Sequence, residues 1–159
     1  MKEEIIVKLT FLILIIMTFF TIFKFSSQNG VESKSVSRKV ARQIVEINPI
    51  TRELSENDKE QIVENSQPFI RKMAHFTIYM IAGILIMGFF NTYDLSEKKK
   101  IIFTVILGLL YAISDEVHQG ITGGGRTPRI FDVFIDTCGV LVGASIYMVI
   151  CYFYNRKKV

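Results

Sequence analysis

Residues 9–23 and 101–113 carry no charged side chain, and 73–93 carries only His75 as a group that titrates near neutrality. By contrast, 24–72 holds 16 of the chain's 34 charges. A water-soluble fold interleaves polar and apolar residues at helix or strand period, and these blocks do not. The segregation excludes an ordinary globular domain, a coiled coil and a wholly disordered chain. A half-hydrophobic chain of 159 residues arranged in this way reads as one small polytopic membrane domain, all-α, spanning 1–159. The net charge of +4 predicts no nucleic-acid partner, because the basic residues are scattered between apolar segments and share no face.

Four transmembrane helices are expected, at about 5–23, 69–90, 101–119 and 130–154. A helix rises about 1.5 Å per residue, so roughly 20 residues cross a hydrocarbon core of about 30 Å. Lys8 lies close enough to the end of the first run to snorkel. The n-region with Glu3 and Glu4 and the poor cleavage match after Phe25 favour a retained anchor over a signal peptide. The third run is charge-free for only 13 residues. It spans only if Ser114–Gln119 enter the membrane or a wet cavity. Between the first two spans lies a polar helical loop, 24–68. Val36, Val40, Ile44 and Ile47 mark an amphipathic helix ending before Pro49, and the capping box at Ser55–Asp58 opens a second helix to about Asn65. These two helices are expected to lie on the bilayer or over the bundle. Cys138 and Cys151 are 13 residues apart in one span, about 20 Å along a helix, too far to bridge. Gly139 and Gly143 form a Gly-x-x-x-Gly suited to close helix packing within the chain.

Four spans put both termini on one side, with Lys98–Lys100 and Arg156–Lys158. The positive-inside rule makes that side cytoplasmic. The opposite side carries eleven Lys/Arg against eight, but nine of the eleven belong to the long 24–72 segment, where the rule weighs charges less.

The ionisable residues at the membrane edge gather on the side opposite the termini; the other side shows plain Lys/Arg flanks. Lys72, His75 and Tyr79 share one face of the second span. Tyr111, Asp115, His118 and Gln119 share a face of the third, with Glu116 beside them. Asp132 and Asp136 open the fourth, one turn apart, after Arg126 and Arg129 in the loop. A lone carboxylate at the depth of Asp136 costs about 3 kcal/mol on insertion scales. It therefore needs a partner, for which Arg126 and His75 are the candidates. Gly123–Gly125 reads as a flexible turn, since it lacks the lysine and the preceding strand of a phosphate loop.

At these residues the chain resembles the VanZ-like family. The resemblance rests on Arg71-Lys72-Met73-Ala74-His75-Phe76 with Tyr79, on Ser114-Asp115-Glu116-Val117-His118-Gln119, on Arg126, and on Asp132, Asp136 and Gly139. Phe25-Ser26-Ser27-Gln28 is similar to the start of the family pattern. The chain departs from it where Gly124-Gly125-Arg126 replaces the usual Pro-Gly-Arg, with Pro128 displaced. The resemblance implies a bacterial cell-membrane protein associated with resistance to teicoplanin-type glycopeptides, and it brings no agreed reaction.

Two functions fit these residues. In the first, a non-catalytic protein binds a lipid-linked cell-wall intermediate or a glycopeptide at the outer face. Lys72, Tyr79, His118, Gln119, Arg126, Arg129, Asp132 and Asp136 form the binding set. In the second, a membrane-embedded hydrolase or transferase uses His75, Asp115 and Glu116 as its general acid–base group. No nucleophile motif of the serine-hydrolase or zinc-protease kind is present. No cofactor is expected, and no metal is assigned: a set of His75, Glu116, His118 and Asp136 is conceivable, but Glu116 and His118 do not share a helix face. Membrane lipids are the other expected partners, and the sequence is silent on oligomeric state.

Overall fold

In the computed structural model, residues 2–28, 30–122 and 128–156 are described. They form five helices and no strand: α1 (Lys2–Ser26), α2 (Gly30–Ile47), α3 (Glu56–Asn91), α4 (Glu97–Thr122) and α5 (Ile130–Arg156). The helices α1, α3, α4 and α5 are long and apolar enough to cross a membrane. Their outer faces leave Ile13, Ile16, Phe20, Leu110, Ile150 and Phe153 exposed. That much bare aliphatic and aromatic surface suits acyl chains and not water.

The structural axis is the seam between α3 and α5. A Cβ added at Gly139 would lie 2.5 Å from the Phe76 carbonyl oxygen, and one at Gly143 only 2.0 Å from that of Met80. Gly83 answers from the other side, 2.2 Å from the Val140 carbonyl oxygen by the same construction. The pairing of 76 with 139 and 80 with 143 keeps one offset, so the two helices run parallel. Close backbone approach across small residues replaces the hydrophobic driving force that is missing in lipid. The Gly-x-x-x-Gly therefore packs within the chain, as its spacing suggested. Around the seam, Ile22, Tyr79, Ala112 and Val140 bury against one another, and Ile15, Ala82 and Ile86 form a second layer.

The 24–68 region differs in two ways from the sequence expectation. The helix opened by Ser55, whose Oγ accepts the Asp58 N–H, does not stop near Asn65. It continues through Pro68 into the second span, as the single helix α3. Pro68 removes one backbone donor, but the carbonyl it leaves belongs to Glu64, an exposed residue ahead of the apolar run. The packed face of α2 is also not the one its large apolar residues suggested. Val36, Val40, Ile44 and Ile47 are exposed, and the smaller Ala41 and Val45 dock on Val63 of α3.

The far end of the bundle is more than a flank of lysines. Lys100 is buried and donates to Asn91 Oδ1 at 2.9 Å and to Glu97 Oε1 at 2.7 Å, tying the end of α3 to the start of α4. Lys8 reaches out of α1 to sit 4.4 Å above the Tyr93 ring, as a snorkelling residue should. Both cysteines are free and half-buried.

Candidate functional site

Because α3 and α5 run parallel, their polar first membrane turns meet in steps. At the rim, Lys72 Nζ pairs with Asp132 Oδ1 at 2.9 Å and lies over the Phe131 ring at 4.6 Å. One turn deeper, His75 faces Asp136, and Asp115 of α4 enters between them. One ligand-type atom from each of these three residues lies within 4.8 Å of the others. Asp115 and Asp136 are 4% and 3% exposed, so two carboxylates are buried side by side. His75, one of the two partners offered from sequence for Asp136, thus lies within 4.8 Å of both Asp136 and Asp115. Below them Tyr79 is fully buried. Its hydroxyl neighbours Asp115 and Asp136 without a hydrogen bond of good geometry.

The third span sends its polar residues in three directions. Gln119 Nε2 donates to Asp115 Oδ2 at 3.0 Å and to Ser26 Oγ at 3.2 Å, so it orients the aspartate and anchors it to α1. Tyr111 donates to the Phe19 carbonyl oxygen at 2.5 Å and stacks on the Phe19 ring. His118, seven residues on, follows Tyr111 and not Asp115. It stacks on Phe23 at 4.3 Å and bonds Ser27 Oγ at 2.9 Å. Glu116 is buried and accepts the Arg129 backbone N–H at 2.6 Å. Its carboxylate thus sits against the first turn of α5, where negative charge is stabilised by the helix dipole.

Of the three acid–base candidates, His75 and Asp115 come together, while Glu116 secures the entry of α5. The metal set weighed from sequence does not assemble: Glu116 and His118 lie outside the group that His75 forms with Asp115 and Asp136. Arg126 and Gly123–Gly125 lie outside the described residues. Ser26 and Ser27, which hold Gln119 and His118, carried no signal beyond their place in the Phe25–Gln28 resemblance.

Beside the cluster, a groove of about 290 Å³ opens between the end of α1, α2 and α3. Ile22, Phe25, Val36, Val40 and Ile78 give it apolar walls, and Arg71 and His75 border it. The exposed apolar residues of α2 thus have a use after all. Two of them line the groove instead of the interface with α3.

A sequence model of the VanZ/LLP1 family matches residues 11–152, nearly the whole chain. No curated protein and no solved structure matches it.

Proposed function

The chain belongs to the VanZ/LLP1 family, and from that premise we propose that it binds an anionic, lipid-linked intermediate of the bacterial envelope. The lipid chain lies in the groove between α1, α2 and α3, and the head group sits over the polar cluster at the outer face. One observation carries this reading: His75 belongs to both, lining the apolar groove and standing with Asp115 and Asp136. A ligand that fills both must be amphipathic. The groove volume is near the lower limit of small-molecule sites, roughly 300 Å³, which suits one chain segment better than a whole molecule. Lys72 and Arg129 supply positive charge around the rim, and guanidinium groups match phosphate geometry. Holding such an intermediate is a direct route to glycopeptide resistance.

Native mass spectrometry of the protein in nanodiscs tests this. The wild-type chain should retain an anionic lipid through detergent exchange. Ala74→Trp, which fills the groove from α3, should lose it while remaining monodisperse. Equal lipid retention by both proteins would rule the groove out.

The approach of His75 to Asp115 favours a second reading, in which the bound head group is cleaved or transferred by acid–base chemistry. Asp115→Asn separates the two. It should leave lipid retention intact in a binding protein, whereas an enzyme would lose turnover at unchanged expression.

A further inference from the structure

We propose that His75, Asp115 and Asp136 bind a divalent metal ion, with the Tyr79 hydroxyl completing its surroundings. The three side chains come from three different helices, α3, α4 and α5, and converge on one point. Ligands about 2.0–2.2 Å from an ion of the zinc type stand roughly 3–4 Å apart. The atoms here, within 4.8 Å of one another, need to close by at most about 1–2 Å.

Charge gives the first reason. Two carboxylates buried together in a low-dielectric bundle need neutralisation, and a single divalent ion matches both. Acidic residues alone do not make a metal site, and one orphaned oxygen aimed into the cluster, together with the imidazole from a third helix, supplies the independent evidence. Asp136 Oδ1, on a side chain that is 3% exposed, is buried without a hydrogen-bond partner. Buried polar groups without partners are rare, and each one calls for a missing partner at its position. An ion takes that oxygen, and the buried Tyr79 hydroxyl lies beside the same two carboxylates. Gln119 and Ser26 already provide the outer hydrogen bonds that hold a ligating carboxylate in place. One imidazole with two carboxylates is a mixed nitrogen–oxygen set, which suits manganese or zinc better than magnesium or calcium.

The site stands on this geometry alone, but it also deepens the lipid reading. An anionic head group over His75 meets Asp115 and Asp136, with Asp132 and Glu116 close by. A metal ion turns that repulsion into a bridge to phosphate.

The test uses the full chain in detergent, stripped with chelator and titrated with Mn²⁺ or Zn²⁺ by calorimetry in the absence of added lipid. About one ion should bind per chain and raise the melting temperature with concentration. Asp115→Asn and Asp136→Asn should weaken binding at least about tenfold. Asp94→Asn and Glu53→Gln, at exposed positions away from the trio, should bind as wild type. The visible spectrum of Co²⁺ in the wild-type chain provides a second readout that needs no variant. It should show an ordered low-symmetry site, and the signal should be displaced by Zn²⁺. Folded wild-type chain that binds no ion, or equal loss in the Asp94 and Asp136 variants, overturns the proposal. Ion binding without lipid retention would sink the lipid reading alone, and lipid retention without ion binding would sink the metal site alone.

Discussion

At Gly143 one added carbon would stand 2.0 Å from the Met80 carbonyl oxygen, an atom that cannot move without moving α3. At Gly88 the same carbon meets the Phe11 ring at 2.4 Å, and a ring at the edge of a bundle can swing aside. Gly143→Ala should therefore lower the melting temperature in detergent well below that of Gly88→Ala. The loss should lie at or above the top of the roughly 1–3 kcal/mol typical of overpacking. Similar melting temperatures for the two variants would mean that the α3–α5 seam yields more easily than its backbone contact implies. The residue scale also shows why the site was only partly legible from sequence. Asp115, His118 and Gln119 share a broad helix face, yet at about 100° per residue His118 is turned some 60° from Asp115. That angle is enough to send it to α1 while Asp115 goes to α5. Face arithmetic gathers residues onto a side; only the placement of the neighbouring helices divides them. For Glu116 the sequence offered two charged roles, and its bond to the Arg129 N–H depends on a loop path that spacing does not give.

Among the elements, α2 is held to α3 by a small apolar contact and by a charged network outside the membrane. Arg42 donates to Glu46 at 2.7 Å and to Glu56 at 2.5 Å, and Arg38 pairs with Glu60. Hydrogen bonds from Arg42 and then Lys59 hold the Glu56 carboxyl below its usual range. Those same acceptors, Glu46 before Glu56, push the Arg42 guanidinium up. A depressed carboxyl stabilises docking fully above its free value, and the benefit is lost as pH falls through the bound value. Protection of the α2 amides, taken relative to the intrinsic exchange rate at each pH, should thus be high at neutral pH and fall below about pH 4, the ordinary glutamate value. Arg42→Gln should show reduced protection already at neutral pH and a weaker fall on acidification. The groups are exposed, so high salt should mimic part of the effect. Protection that ignores both pH and Arg42 would leave Ala41, Val45 and Val63 as the whole attachment. Both helices here were legible from sequence, but their union was not. Pro68 reads as a stop because a lost donor is costly inside a helix, and it is tolerated because the carbonyl it leaves belongs to an exposed residue. Of the apolar residues of α2, Ala41 and Val45 meet Val63 of α3, while Val36, Val40, Ile44 and Ile47 stay exposed.

The architecture of the whole molecule was the most legible part, because charge-free runs of span length leave few alternatives to a bundle of membrane helices. Its orientation rests on charge asymmetry, which predicts α2 and the cluster outside and both termini inside. In a background lacking Cys138 and Cys151, an impermeant maleimide applied to intact cells should label Ser35→Cys and spare Lys99→Cys, both at exposed positions. The reverse pattern would invert the topology and put the site in the cytoplasm. The parallel α3–α5 seam has a consequence for how the protein is made. These two helices are the tightest partners, yet α4 must be synthesised and inserted between them. Until α5 leaves the ribosome, His75 and Asp115 are without the carboxylate that completes their cluster, and the small face of α3 at Gly83 has nothing against it. The newborn chain therefore passes through a three-span stage with an open polar notch facing lipid or the insertion machinery. It closes only when the fifth helix docks.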